Sequence, residues 1–125
     1  QTYYELLGGE TGVRLVVDDF YDLMMLDTRF AGIRAMHPQD MSTSRDKLFW
    51  FLSGWLGGPP LFEEKFGHPR LRARHLPFAI GVSERDQWMT CMTESLQKAS
   101  ISEETRQALI DALFKTADWM RNKDV

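Results

Sequence analysis

Apolar residues return every third or fourth position through most of this 125-residue chain, and no stretch alternates with a period of two through β-branched residues. That pattern predicts an all-α fold. Between Thr11 and Asp27 the stripe is Val13, Val16, Val17, Phe20, Leu23 and Met24, with Asp18, Asp19 and Asp22 largely on other faces. Gly8-Gly9 separates this helix from a short one over Tyr3–Leu7. A further helix runs from Ser42 or Thr43 to Leu56, where Thr43 and Asp46 have the spacing of a capping box with Asp in place of Glu or Gln. Its stretch Leu48-Phe49-Trp50-Phe51-Leu52 is apolar all round, so more than one side is buried. Gly57-Gly58-Pro59-Pro60 stops it, and Leu61–Gly67 reads as irregular chain. Pro69 suits the first position of a helix and Pro77 ends it, leaving about two turns. Ser83-Glu84-Arg85-Asp86 resembles a capping box opening the next helix, with Trp88, Met89, Met92, Leu96 and Ala99 as its stripe. The last helix follows Ser102 and carries Leu109, Ile110, Leu113, Phe114, Ala117 and Met120. Five or six helices result. With no linker, repeat or low-complexity tract, residues 1–125 read as one domain.

Composition narrows the classes of function. Hydrophobic residues are 43% and charged residues 26%, a globular balance that excludes a disordered chain. The net charge of −3 gives no global attraction to nucleic acid or to an anionic membrane. No apolar run is long enough to span a bilayer, and the first residues show neither a basic nor an apolar leader region. One cysteine, Cys91, excludes an internal disulfide and a paired-cysteine metal site, so a reducing, cytoplasmic setting is expected. Four Trp, eight Phe and seven Met are generous for a core of this size. They suit either a well-filled helical core or a pocket shaped around a large flat ligand.

The three histidines, His37, His68 and His75, lack the spacing of a helical zinc motif. No nucleophile–base arrangement can be argued from spacing, and Gly57-Gly58-Pro59-Pro60 lacks the Lys and helix start of a phosphate loop. Asp18-Asp19 and Glu63-Glu64 lie in polar, solvated stretches. His75 ends a short helix pinned between two prolines, with Leu71 one turn earlier and Phe78 after the break. An imidazole so placed is either a satisfied core histidine or an axial metal ligand. In the second case its other ring N–H needs a partner, and the Leu71 carbonyl is suitably spaced. Arg70, Arg72 and Arg74 form a solvated basic face, or one of them pairs with a carboxylate of the ligand. His68 before Pro69 reads as a loop-fixing or helix-capping residue, and Cys91 as a small buried hydrophobe.

Gly8-Gly9, Phe20-Tyr21, Met36-His37-Pro38, Gly57-Gly58-Pro59, the run Gly67-His68-Pro69-Arg70-Leu71-Arg72-Ala73-Arg74-His75-Leu76-Pro77-Phe78, and Glu84-Arg85-Asp86-Gln87-Trp88 together resemble a group II truncated haemoglobin. The resemblance spans nearly the whole chain. It implies a two-over-two helical sandwich around haem b. His75 would be the proximal iron ligand, and Tyr21 and Trp88 distal hydrogen-bond donors. Ser44 would take the distal helix position, Leu48 and Phe51 would line the distal wall, and Leu71, Arg74, Phe78 and Trp88 would complete the haem contacts. His37 stands where the family often has Tyr. There it is a surface turn residue, a third donor to bound ligand, or a sixth iron ligand if the loop from Asp27 to Pro38 swings inwards about Gly32.

Several donors aimed at a bound diatomic ligand slow its release. That favours tight oxygen binding with sensing or redox chemistry over delivery. The expected partners are dioxygen, carbon monoxide, nitric oxide or peroxide, with a reductase if there is turnover. The functional expectations are therefore detoxification of nitric oxide or peroxide, an oxygen binder or sensor without turnover, or a haem-free helical interaction module.

Overall fold

The computed structural model describes all residues from Gln1 to Val125. It has eight α-helices and no strand: α1 (Tyr3–Leu6), α2 (Gly9–Leu26), α3 (Ala31–Arg34), α4 (Ser42–Trp55), α5 (Leu61–Phe66), α6 (Leu71–His75), α7 (Val82–Gln97) and α8 (Glu103–Trp119). A 3₁₀ turn, Thr28–Phe30, joins α2 to α3. The helix α2 packs against both α4 and α7, and α7 packs on α8, so the α2–α4 pair lies against the α7–α8 pair. No helix is long and apolar enough to cross a membrane.

The core follows the predicted stripes. Val13, Val17, Phe20 and Met24 of α2 meet Phe49 and Leu52 of α4, Cys91, Met92 and Leu96 of α7, and Leu109 and Leu113 of α8. Such side chains stabilise by roughly 1.5–3 kcal/mol each when removed from water. The Cys91 Sγ donates to the Phe20 carbonyl at 3.2 Å, and burial pushes its thiol up to about 12. It is an inert filler of the core.

Local signals worked unevenly. Ser102 is the N-cap of α8, its side chain accepting from the Thr105 N–H at 3.1 Å. Thr43 and Asp46 do not form the expected cap. The helix α4 starts from Met41 with no side-chain cap, and Asp46 takes Arg14 of α2 at 2.9 Å instead. The start of α7 also moves: Gly81 is its N-cap, and Glu84 accepts the Gly81 N–H at 2.7 Å. Leu61–Gly67 is not irregular, because α5 forms directly after Pro60 and buries Phe62. The segment Asp27–Pro38 is not an open loop. Gly32 lies inside α3, where a Cβ would sit 2.7 Å from the Gln87 side-chain amide, and Gln87 accepts the Ile33 N–H at 3.1 Å. Gly32 therefore serves close packing and is no hinge.

Candidate functional site

Two short helical turns each end in a histidine, and both histidines make the same bond. His75, the last residue of α6, has Nδ1 2.6 Å from the Leu71 carbonyl oxygen. His37, just beyond α3, has Nδ1 2.8 Å from the Ile33 carbonyl oxygen. A carbonyl only accepts, so in both rings Nδ1 carries a proton, and the neutral tautomer this selects leaves the lone pair on Nε2. Neither Nε2 has a protein partner. Burial holds the His37 proton affinity below the ordinary histidine value, opposed by the bond to Ile33 and aided by smaller pushes from Arg34 and His75, so the ring favours its neutral form.

The His37 turn is fixed from two sides. Arg34 reaches along the chain to donate to the Pro38 and Gln39 carbonyls, both at 3.0 Å. The His37 ring stands edge-on to Tyr21, with centroids 5.7 Å apart. No inward swing is needed to bring His37 to the distal residues. The Tyr21 ring is buried between Phe20, at 5.1 Å, and the Arg45 guanidinium, at 5.8 Å. Arg45 is itself anchored to Asp18 at 3.1 Å and Asp22 at 2.6 Å, so these two carboxylates orient the site's wall rather than standing free in water. Burial, opposed by Arg45, raises the Tyr21 hydroxyl far above physiological pH, so it stays a neutral donor. Phe20 also packs on Trp88, with centroids 5.3 Å apart. Neither the Tyr21 hydroxyl nor the Trp88 indole N–H is closed off with its hydrogen bond unmade, and neither has a protein acceptor. Both remain open to a ligand. Ser44, Leu48 and Phe51 lie three or four residues apart on one half-buried face of α4, beside the core-facing Phe49 and Leu52.

The segment that carries His75 is built differently. The helix α6 buries none of its residues, and Leu76 and Phe78 stay 57% and 42% exposed. What holds it is a strap from beyond α8. Asn122 donates Nδ2–H to the Phe78 carbonyl at 2.7 Å and accepts the Ile80 N–H at 3.0 Å. Its own N–H returns to the Ile80 carbonyl at 2.9 Å. Arg72 donates to the Trp119 and Arg121 carbonyls. Arg74, expected to pair with a carboxylate of the ligand, gives its Nε to the Pro69 carbonyl at 2.7 Å and lies 5.2 Å over the Phe62 ring. Its terminal nitrogens are unpartnered.

Haem suits these residues. It needs one neutral imidazole with a free nitrogen, an apolar surface to lie on, and polar groups on the opposite side. His75 Nε2, the bared Leu76 and Phe78, and the Tyr21–Trp88 pair provide these in turn. Two other spaces are poorer candidates. A gap of about 10 Å³ between Val16, Leu52, Met92 and Leu109 is wholly apolar and has nothing to orient a ligand. A groove of about 100 Å³ beside Trp50, Phe62 and Glu63 contains neither His37 nor His75.

Comparison with known proteins identifies the family. Residues 2–122 match the family described as bacterial-like globin. The chain belongs to that family. This globin is 38% identical to the group 2 truncated hemoglobin YjbI of Bacillus subtilis, over 96% of this chain and 88% of that protein. Its fold superposes on the cold-adapted truncated hemoglobin of Pseudoalteromonas haloplanktis with a TM-score of 0.96, at 43% identity, covering 98% of this chain and 99% of the other. The group II 2-on-2 hemoglobin of Agrobacterium tumefaciens follows at 0.95, with 38% identity over 99% and 96%. The fold of the globin is therefore the truncated two-over-two sandwich, and the family carries haem-based binding of small gaseous ligands with it. A haem-free interaction module does not fit this membership. Arg34, Arg45 and Asn122 are the positioning residues of the globin that sequence reading missed. Arg45 and Asn122 act on groups of another segment, which leaves no local pattern, and Arg34 grips carbonyls four and five residues ahead in an irregular turn.

Proposed function

We propose that this globin holds haem b through His75 and binds dioxygen and other diatomic ligands tightly, serving nitric oxide or peroxide detoxification or related redox chemistry rather than oxygen delivery. The carrying observation is the Tyr21–Trp88 pair, two donors without a protein acceptor that flank Phe20, with His37 against Tyr21. When bound, the haem supplies the iron that takes the diatomic ligand and exchanges electrons with it.

The rest is work for the chain. His75 presents Nε2 while the Leu71 carbonyl fixes its ring and tautomer. The Tyr21 hydroxyl and Trp88 N–H donate towards the ligand's outer atom, where negative charge gathers. Each bond contributes about 0.5–1.5 kcal/mol, so the pair slows ligand loss by roughly 5–150-fold. His37 has a part other than a third donor. Its Nδ1–H is committed to Ile33, so in the neutral ring Nε2 can only accept. It competes for the metal when no outside ligand is present. The side-chain-to-carbonyl bond that His75 also makes favours this role, because a histidine oriented this way is prepared as a ligand.

The relative from Bacillus subtilis described as an oxygen-avid haemoglobin, with a TM-score of 0.87 and 36% identity over 98% of this chain and all of the other, supports the tight-binding reading. The test is oxygen dissociation from the reduced protein by stopped flow, followed by consumption of nitric oxide and peroxide with a reductant supplied. Slow dissociation with turnover supports the proposal. Slow dissociation without turnover leaves an oxygen binder or sensor. Fast dissociation refutes the role of the donor pair.

A further inference from the structure

Arg70 is the one non-glycine residue of the chain with positive φ, at φ 47° and ψ 52°. Left-handed backbone is costly for a residue with a Cβ and persists only where its surroundings impose it. This one precedes α6 directly, and its carbonyl accepts the Arg74 N–H at 3.0 Å, so it sets where the proximal helix begins. It also explains why Pro69 is not the first residue of that helix. Two features impose the conformation. Pro69 fixes the preceding φ. The His68 ring then folds over the turn, and Nδ1 accepts the Arg70 N–H at 3.0 Å. This bond from residue i+2 back to a side chain is the one an Asx turn makes, here made by an imidazole. The Arg70 side chain makes no hydrogen bond or ion pair, so it does not hold the residue in place.

We infer that His68 is a positioning residue for the proximal ligand: its Nδ1 locks Arg70 in the left-handed conformation that starts α6 and so sets the bearing of His75. The chain of contacts is short. His68 fixes Arg70, Arg70 starts the turn, and that turn brings the Leu71 carbonyl to His75 Nδ1 at 2.6 Å. Arg74 closes the same loop by donating to the Pro69 carbonyl at 2.7 Å. Since His68 must accept, its ring proton lies on Nε2, the opposite tautomer to His75 and His37.

This rests on the haem reading above, and the experiment separates the two. The unaltered chain, His68→Phe, His68→Asn and the double variant His68→Phe/Arg70→Gly are each reconstituted with haemin. Two quantities are read: amide exchange at residue 70 by NMR in the reduced carbon monoxide form, and the iron–histidine stretching band of the reduced protein. His68→Phe removes the acceptor and should speed exchange about three- to tenfold while shifting or broadening the band. His68→Asn restores an acceptor two residues upstream and should leave both near the unaltered values. In the double variant exchange stays fast, but the band returns, because glycine takes the left-handed turn without help. A His68→Phe protein with unaltered exchange and band overturns the inference, and so does a double variant whose band does not return. If His68→Phe does not accumulate as folded protein, the unaltered chain decides alone, and an Arg70 amide exchanging as fast as unstructured chain overturns the assignment. Failure of the unaltered chain to take up haemin would refute the haem reading instead. Exchange at Arg70 can still be compared in the haem-free proteins.

Discussion

The turn bearing His37 and the turn bearing His75 share one hydrogen bond and almost nothing else. Around His37 most of the support comes from the buried core, Tyr21, Phe20 and Ile33, with Gln87 and Arg34 gripping the adjoining main chain. Around His75 the support is polar and borrowed from remote sequence. Its helix buries no residue and is held by Asn122, Arg72 and the His68 turn. The distal side is thus prepared by the packing that folds the protein. The proximal side is a lightly attached segment that gains most from its ligand, since whatever binds the folded form stabilises it.

Changes at His75 should have the largest effect. His75→Ala removes the imidazole proposed to hold the iron and should weaken haem retention roughly 100-fold or more, read from the Soret band during haemin titration. If His37 alone kept the haem in that variant, the two turns would be interchangeable and the contrast would fail.

Asn122→Leu leaves the Ile80 N–H and the Phe78 carbonyl without partners. We expect about 2 kcal/mol of lost stability in urea denaturation, and faster amide exchange at Ile80 but not at Phe20. Uniform loosening would show that the strap belongs to the core.

Tyr21→Phe removes one donor and no packing. Oxygen should leave about tenfold faster, with the unfolding midpoint almost unchanged. A large loss of stability would mean that the hydroxyl is structural.

The smallest effect is one of pH. Burial holds His37 below the ordinary value of 6.5, so the folded chain binds fewer protons than the unfolded chain as acid is added. Stability should fall as pH drops below 6.5, and His37→Phe should flatten that slope in haem-free protein. The same variant should lose any low-spin ferric bands of the haem-bound form, whereas unchanged bands would exclude His37 as a sixth ligand.

The long helices were legible because α2, α4, α7 and α8 bury apolar stripes that periodicity exposes. The short ones were not. The helices α3 and α5 are only four and six residues long, too short for a periodic stripe, and tertiary packing of Ile33 and Phe62 decides. The Leu71–His75 bond was readable because it is local, four residues apart. Asp46 misled because an arginine on another helix outbid the cap, and a single sequence carries no sign of that. The resemblance placed His37 near iron, but only the Ile33 bond shows which nitrogen is free. Asn122 offered no signal, since its partners are main-chain groups 42 and 44 residues away.

The strap also separates the two faces along the chain. Every residue that shapes the distal wall precedes Cys91, whereas the proximal segment is tied down by Arg121–Lys123. Because the packed core already includes α8, a chain cut after Trp119 should keep its long helices and the Tyr21–Trp88 wall while losing the hold on α6.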